Sequence, residues 1–194
     1  MGLFNIIFNK IYSYRTRYIG DALLPFIEKN CSLLDFGCST MAVTRYIAPK
    51  KNIKLFGIDV DKYDIKDAEF IHYKGGKLPF KDNEFDIVMS IFVLHHTDNP
   101  EFYLDEIIRV AKKKIIICED TYKNKIEEMF TKGADWIFNY LYLDEIDLNF
   151  KSVDEWKKQI NQRNVKIKSL TRFHPYVLPF IPIRNVIFEI EKDH

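Results

Sequence analysis

Short apolar runs alternate with longer amphipathic stretches along the first 120 residues of this chain. The runs that have the length and composition of strands lie near residues 32–36, 54–58, 69–72, 85–91 and 114–118. Much of 5–29, and the segments 41–48 and 100–111, instead place apolar side chains at helical spacing. Buried strands that alternate with helices are typical of a mostly parallel sheet, so we predict an α/β fold with a doubly wound sheet and helices on both faces.

The pattern changes after Cys118. Residues 121–150 are rich in aromatic side chains without strand alternation, which favours a helical excursion. Ser152 and Glu155 form an S-x-x-E capping box that predicts a further helix. The stretches "NVKIKSLTRF" and "IRNVIFEIEK" alternate like half-buried strands on either side of three prolines, so we expect an antiparallel C-terminal hairpin that closes one edge of the sheet.

Composition and charge narrow the class of protein. The chain has 194 residues, 47% of them hydrophobic and 29% charged, which suits one globular core. Its net charge of +1 gives no broad positive field, so we predict no nucleic-acid partner. The longest basic run, Lys112 to Lys114, is interpreted as a solvated turn.

Cysteine usage and hydropathy bear on the compartment. The three cysteines are odd in number and lie in or beside apolar runs, which argues against a disulfide framework and against a CxxC metal site. No apolar stretch reaches the roughly 18 to 20 residues that a membrane-spanning helix needs. We therefore predict a cytoplasmic protein with no integral membrane segment.

Two residues near the ends of the first two strands suggest a nucleotide-like ligand. Gly37 follows the first strand in "LLDFGCST", and in such sheets ligands bind beyond the carboxyl ends of the strands. Asp59 ends the second strand 22 residues later, near the offset of about 20 at which an acid accepts hydrogen bonds from a ribose diol. An Asp after a strand is also a common cap or turn former, but the two residues together indicate an adenosine-bearing ligand.

The fourth strand leads into a second candidate cluster, "FDIVMSIFVLHHTDNP". Ser90 lies at its carboxyl end, and His95 and His96 stand between the strand and a helix that we expect to begin at Pro100. We therefore expect both histidines to face the rim of the site. We predict no metal here, because adjacent side chains point in different directions and no further ligands follow at the usual spacing. A proton-accepting or substrate-orienting role for one histidine is the functional interpretation, and a structural role is the alternative.

These stretches, together with "LFGIDVD", "KLPFKDNEFD" and "LDEIIRVAKKKIIICE", resemble class I S-adenosylmethionine-dependent methyltransferases. The resemblance covers about residues 30–120 and is strongest to the small-molecule branch that includes the ubiquinone and menaquinone biosynthesis enzymes. It implies a Rossmann-like fold and S-adenosyl-L-methionine as cofactor, with S-adenosyl-L-homocysteine as product. It also implies methyl transfer to a small, apolar or aromatic molecule.

The resemblance assigns roles to particular residues. The implied cofactor-binding residues are Asp35, Gly37, Ser39, Asp59, Gly75 and Ser90. Among them, Asp59 would hold the ribose and the Gly75 amide would meet the adenine. His96, with His95 beside it, would lie in the substrate chamber.

Three departures from the family pattern stand out. The glycine-rich loop D-x-G-x-G-x-G has Ser39 and Met41 in place of its second and third glycines. Met41 puts a flexible side chain where the helix usually packs tightly or the cofactor passes closely. Position 74, often acidic or amidic for the adenine amino group, is Lys74.

We expect one methyltransferase-like domain over residues 1–194. Its parts are an N-terminal helical segment (1–30), a cofactor-binding core (31–120), a helical aromatic substrate-side region (121–163) and a C-terminal strand pair (164–194). Tyr12, Trp136 and Tyr140 are the substrate-side candidates. The alternatives are a binding or regulatory module whose altered loop has lost catalysis and a nicotinamide-dependent oxidoreductase, which the missing G-x-G-x-x-G disfavours.

Overall fold

A seven-stranded sheet organises the chain in the order β3-β2-β1-β4-β5-β7-β6. The computed structural model describes residues 3–140, 149–174 and 184–192, except for the side chains of 3–9 and 134–140. The strands are β1 (Ser32–Phe36), β2 (Lys54–Asp59), β3 (Glu69–His72), β4 (Phe85–Ile91), β5 (Ala111–Thr121), β6 (Val165–Phe173) and β7 (Arg184–Lys192). The first five are parallel, and β7 pairs antiparallel with both β5 and β6. The predicted Rossmann-like sheet with its antiparallel hairpin is confirmed.

Helices pack on both faces of this sheet. They are α1 (Leu3–Leu23), α2 (Ala42–Lys51), α3 (Pro100–Val110), α4 (Lys125–Tyr140) and α5 (Val153–Asn161). None of these described helices is long and apolar enough to cross a membrane.

Strand alternation divides the apolar side chains into two cores. On β1, Leu33 joins the core under α1 and α2, whereas Leu34 joins the core under α3 and α5. Ile19 on α1 is buried in the first of these cores, and Trp156 on α5 is buried in the second. Because both faces of the central strands are buried, those strands read as continuous apolar runs rather than alternating ones.

Helix boundaries follow the capping residues. The Asn99 side chain accepts a hydrogen bond from the Phe102 amide, and Pro100 opens α3. The capping box predicted from Ser152 and Glu155 is present at the start of α5. The prediction that helix covers much of 5–29 is confirmed by α1, which ends at Leu23; a 3-10 turn follows, because Pro25 cannot continue an α-helix.

The structure shows that the interpretation of the basic run Lys112 to Lys114 as a solvated turn is wrong. Residues 112–114 lie in β5, and Lys114 is only 7% exposed. Its ammonium lies 3.3 Å from a Glu28 carboxylate oxygen, 3.1 Å from a Glu189 carboxylate oxygen and 3.1 Å from the Phe26 carbonyl. A lysine is buried here because two carboxylates and a carbonyl replace its water.

One side of α3 holds the loop that precedes β4. The Glu106 carboxylate accepts from the Leu78 amide at 2.7 Å. The Arg109 guanidinium binds Glu106 and donates to the carbonyls of Leu78 and Phe80 at 3.1 and 2.8 Å. This network fixes the "LPF" turn against the helix and so fixes the start of β4.

Candidate functional site

The candidate site lies at the carboxyl edge of the sheet, where the strand order reverses between β1 and β4. Gly37 follows β1, Asp59 ends β2 and Ser90 is the last residue but one of β4, so all three lie near this edge, where the sequence predicted them. The loops after β1 and β4 touch each other there.

Gly37 marks the contact between those two loops. Its φ is +66°, and an added Cβ would lie 2.3 Å from Cγ1 of Val93 in the loop after β4. The Gly37 amide donates to the Ile58 carbonyl at 2.9 Å. We expected a glycine here so that a ligand could lie against the backbone; the structure adds that a side chain would collide with the neighbouring loop.

Asp59 fastens the loop after β1. One of its carboxylate oxygens accepts from the Ser39 amide at 2.7 Å, and the other accepts from the Asp61 amide at 3.0 Å. The residue is 8% exposed. A carboxylate has about four acceptor positions, so about two are left for the hydroxyls of a ribose.

Gly57 on β2 leaves room for the larger side chain of Met41, which stands in place of one of the missing glycines. Met41 has a φ of 55° and is completely buried in the core under α1 and α2. A Cβ added to Gly57 on β2 would lie 2.6 Å from the Met41 sulfur and 2.8 Å from the Cys38 sulfur. Met41 therefore packs on β2, and Ser39, with a φ of 44°, stays exposed on the loop.

Asp35 turns towards α2. Its carboxyl accepts a hydrogen bond from the Thr44 hydroxyl at 2.6 Å and is only 4% exposed. Burial, reinforced by the nearby charge of Asp59, raises the pKa of Asp35 to about 7. This side chain links β1 to the helix that follows the loop.

The loop after β4 is held by a residue that sequence reasoning missed, Glu119. Its carboxylate is fully buried, accepts from the amides of Leu94 at 2.9 Å and Val93 at 3.3 Å, and binds Nδ1 of His95. The only sequence signal was an acid inside the apolar run "IIICED". Ser90 is also fully buried, and its hydroxyl has no hydrogen-bond partner among the described residues.

The two histidines have different surroundings. His95 is 1% exposed and stacks on Phe150 at 4.5 Å between ring centroids, so it is not at the rim where we expected both histidines. His96 is only partly buried and its ring centroid lies 4.0 Å from that of His95. Burial, with a contribution from His95, lowers the pKa of His96 to about 3, so the imidazole is neutral at physiological pH.

The loop after β3 carries the predicted adenine contact. Gly75 and Gly76 have φ values of +79° and +81°, and Lys74 is exposed. The Gly76 amide donates to the Tyr103 hydroxyl at 3.1 Å, so this loop is attached to α3.

The substrate-side candidates separate into two groups. Tyr12 on α1 lies beside the loop after β1, with its hydroxyl 3.3 Å from that of Thr40. Trp136 and Tyr140 lie within α4, but their side chains are outside the described residues. Tyr12 is thus the one candidate of the three whose side chain can be placed near the site.

Comparison with known proteins shows similarity to methyltransferases over the central part of the chain. Residues 34–118 match the family described as "Methyltransferase domain". An uncharacterized protein of Methanocaldococcus jannaschii is 35% identical over 59% of this chain and 58% of its own length. The ubiquinone biosynthesis O-methyltransferase of Pelagibacter ubique is 25% identical over 80% of this chain and 73% of its own length.

Solved structures share the fold. A geranyl diphosphate methyltransferase in complex with GPP and sinefungin superposes with a TM-score of 0.70 over 91% of this chain and 77% of its own, at 9% identity. At that identity the likeness shows the fold alone. This chain spans between 33% and 58% of the length of three of the curated relatives that it matches.

The matched segment, the strand order and the resemblance of the motifs agree. Residues 34–118 thus match a methyltransferase domain, and the motifs of the chain resemble those of the class I S-adenosylmethionine-dependent methyltransferase family. The cofactor of this family is S-adenosyl-L-methionine.

Proposed function

We propose that this protein binds S-adenosyl-L-methionine at the carboxyl edge of its sheet and transfers the methyl group to a small, apolar or aromatic molecule. The observation that carries the proposal is the joining of Gly37, Ser39 and Asp59 in one loop assembly. That assembly combines exposed backbone with a carboxylate that has acceptor capacity left, which suits an adenosine-bearing ligand.

The residues at this edge fit the cofactor. Asp59 would accept from the ribose hydroxyls, and Gly37 and Ser39 would lie along the methionine part. The buried Ser90 hydroxyl has no hydrogen-bond partner among the described residues. It could therefore form a hydrogen bond with a ligand at the same edge. Gly75 would present its amide to the adenine, and Asp35 would hold the loop through Thr44.

The cofactor, when bound, would supply an electrophilic methyl group on its sulfonium sulfur. The protein's part is to align the acceptor with that methyl group at roughly 3 to 3.5 Å and to exclude water. His96 is the candidate for hydrogen bonding to the acceptor, since its imidazole is neutral. Because a pKa this low makes His96 a weak base, we assign it the orientation of the acceptor rather than the removal of a proton. We propose that His95 supports the His96 ring, against which its own ring packs.

The acceptor chamber is proposed between α1 and residues 121–150. Tyr12 supports this placement because it bridges α1 to the loop after β1. Trp136 and Tyr140 complete the proposed apolar lining. We further propose that the chain acts as one domain with the four parts predicted above and that it works in the cytoplasm.

A ligand titration tests the proposal. S-adenosyl-L-methionine and S-adenosyl-L-homocysteine should raise the melting temperature in a concentration-dependent way, and NAD should not. Absence of stabilisation by both sulfur ligands would contradict the proposal. Binding without turnover of any acceptor in a panel of quinols, phenols and amines would favour the non-catalytic alternative.

Asp59→Ala tests the ribose contact. If the carboxylate holds the ribose, S-adenosyl-L-homocysteine should bind about 1 to 3 kcal/mol more weakly by calorimetry, since a partly buried hydrogen bond to a charged group is lost. Asp67→Ala is the matched control, because Asp67 is exposed and pairs with Arg45 away from the site. Equal affinity in wild type and Asp59→Ala would remove Asp59 from the site.

A further inference from the structure

A buried amide and a buried carboxylate meet at the end of the antiparallel strands β5 and β7. Asp120 lies directly opposite Asn185 in the register of these strands. The Nδ2 atom of Asn185 donates a hydrogen bond to the Asp120 carboxylate. Asp120 is 5% exposed and Asn185 is fully buried. This polar pair therefore stands where β5 reaches the carboxyl edge of the sheet, the edge that carries the candidate site.

The pair leaves one acceptor unused. The amide oxygen of Asn185, Oδ1, is buried and has no hydrogen-bond partner among the described residues. Turning the amide over would not remove the problem, because it would set the oxygen against the carboxylate and leave N–H groups in its place. A buried acceptor without a hydrogen bond is unfavourable, and almost all such atoms in folded proteins have a partner. The Asn185 oxygen thus indicates a bound group that donates a hydrogen.

Strand alternation places the pair on the face of the sheet that α1 covers. Cys118 on β5 belongs to the core under α1 and α2, and Asp120 is two residues further along the strand. Ile187 on β7 belongs to the same core and is two residues from Asn185. Both polar side chains therefore continue the apolar surface of that core up to the edge of the sheet.

Helix α1 lies between this pair and the proposed cofactor loop. Tyr18 stacks on Phe173, the residue of β6 that pairs with Asn185, with 6.4 Å between the ring centroids. Earlier in the same helix, Tyr12 contacts the loop after β1 through Thr40. The pair thus lies on the α1 side of the site, at the boundary of the proposed acceptor chamber.

We propose that the Asn185 side chain recognises the methyl acceptor by accepting a hydrogen bond from an amine or hydroxyl group of that molecule. Asp120 is the positioning residue, because it holds the Asn185 amide with Oδ1 turned away from the carboxylate. An acceptor whose nitrogen or oxygen carries no hydrogen would leave Oδ1 buried and unpaired, so the site selects against it. The inference rests on the proposed function, since it defines the polar group of the proposed acceptor.

Matched pairs of aromatic probes test this role by calorimetry on protein saturated with S-adenosyl-L-homocysteine. The pairs are aniline with N,N-dimethylaniline, indole with N-methylindole, and phenol with anisole. All are uncharged at neutral pH, and the members of a pair differ in whether the nitrogen or oxygen carries hydrogen. Wild type should bind the donor-bearing member of at least one pair about fivefold or more tightly, the size expected for one hydrogen bond.

Variants of Asn185 locate the preference. Asn185→Leu deletes the oxygen with little change of volume, so it should remove the preference and keep the affinity for S-adenosyl-L-homocysteine within about twofold of wild type. Asn185→Val repeats the test with a side chain that favours strands. Thr121→Val is the matched control, because Thr121 is buried at the same end of β5 on the opposite face, where its hydroxyl donates to the Arg184 carbonyl at 3.2 Å. This control should keep the preference.

Variants of Asp120 test its positioning role. Asp120→Leu removes the group that fixes the Asn185 amide, so the preference should weaken. Asp120→Asn should restore it, because the new amide oxygen can accept from Nδ2 of Asn185. Equal preferences in wild type and Asp120→Leu would contradict the positioning role.

The outcomes separate the two proposals. If wild type does not bind S-adenosyl-L-homocysteine at all, the proposed function fails and this inference falls with it. If wild type binds it but prefers the donor in none of the pairs, or if the Asn185 variants keep the preference, the role of Asn185 is wrong and the proposed function stands. Loss of the preference in Thr121→Val would trace it to the strand end in general and also contradict that role. A preference confined to the nitrogen pairs or to the phenol pair would support the role and identify the donor group.

Discussion

The loops after β1 and β4 are held in place in similar ways by different residues. Each contains a non-glycine residue in the left-handed region, Ser39 at 44° in the first and Phe92 at 57° in the second. Each is fastened by a carboxylate from the next strand outward, Asp59 on β2 and Glu119 on β5. The two assemblies are thus arranged similarly on either side of the reversal in strand order.

The two assemblies differ in how many acceptor positions of the carboxylate remain free. Asp59 accepts one amide from its loop, lies 8% exposed and retains acceptor positions. Glu119 is completely buried and receives three donors, two amides and the His95 ring, all from one loop. The difference supports the proposed ligand-binding role of the β1 loop, whereas the acceptor positions of the Glu119 carboxylate are used to hold the β4 loop.

Removing each carboxylate should expose that difference most strongly. Glu119→Ala leaves two buried amides and a buried imidazole without their acceptor, so the free energy of unfolding should fall by about 3 to 5 kcal/mol in urea titrations. Asp59→Ala should cost about 1 kcal/mol, because the freed amides lie near water.

Glu119→Gln serves as the matched control. Its amide oxygen can still accept from Val93 and Leu94, so it should recover most of the lost stability. Equal losses of stability for Glu119→Ala and Asp59→Ala would contradict the proposed division of labour between the loops.

Gly37→Ala should show that the two loops are physically coupled. The left-handed backbone and the 2.3 Å approach to Val93 together should lower the free energy of unfolding by about 2 to 4 kcal/mol. Adding Val93→Ala removes the collision but not the backbone strain, so the double variant should be more stable than the sum of the single changes predicts. Additive losses in this double-mutant cycle would mean that the loops do not meet in solution.

Much of this arrangement was predictable from the sequence. The apolar runs and caps gave the strands and α3 because burial and capping act locally, and Gly37 and Asp59 were found because strand ends in a parallel sheet meet at one edge. The match to the methyltransferase domain covers the same central segment.

What the sequence did not reveal depends on tertiary contacts. Glu119 lies one residue past the predicted strand 114–118, and its role exists only because the β4 loop folds back over β5. Met41 looked like a defect in a glycine loop because the compensating residue, Gly57, lies on another strand. Lys114 looked solvated because its partner Glu189 is 75 positions away along the chain (189 − 114).

The ionisable groups of the two loops should have opposite pH dependences. Asp35 has a raised pKa of about 7, so the unfolded chain binds fewer protons there and its contribution to stability falls as pH rises from 5 to 6.5. His96 has a lowered pKa of about 3, so the unfolded chain binds more protons there and its contribution rises over the same interval. Each contribution amounts to about 2 kcal/mol, and in the ligand-free protein they oppose each other.

Two variants separate these contributions. Relative to wild type, Asp35→Asn should gain about 2 kcal/mol of stability between pH 5 and 6.5, and His96→Gln should lose a similar amount. Urea titrations at the two pH values measure both differences. A pH-independent difference for either variant would show that its group keeps an ordinary pKa in the folded protein.

Ser39→Gly should give the smallest effect, a modest gain of stability. The exposed Ser39 holds a φ of 44° because its amide is bound to Asp59, and glycine adopts that backbone without the strain that a Cβ causes. After the extra entropy of the unfolded chain is subtracted, the free energy of unfolding should rise by about 0.5 to 1 kcal/mol. Ser39→Ala keeps the Cβ and should show no gain, so a gain in both variants would trace the effect to the hydroxyl. Because the amide that binds Asp59 is unchanged, a restored glycine should leave the affinity for S-adenosyl-L-homocysteine within about twofold of wild type, whereas a tenfold gain would mean that Ser39 itself impairs the cofactor loop.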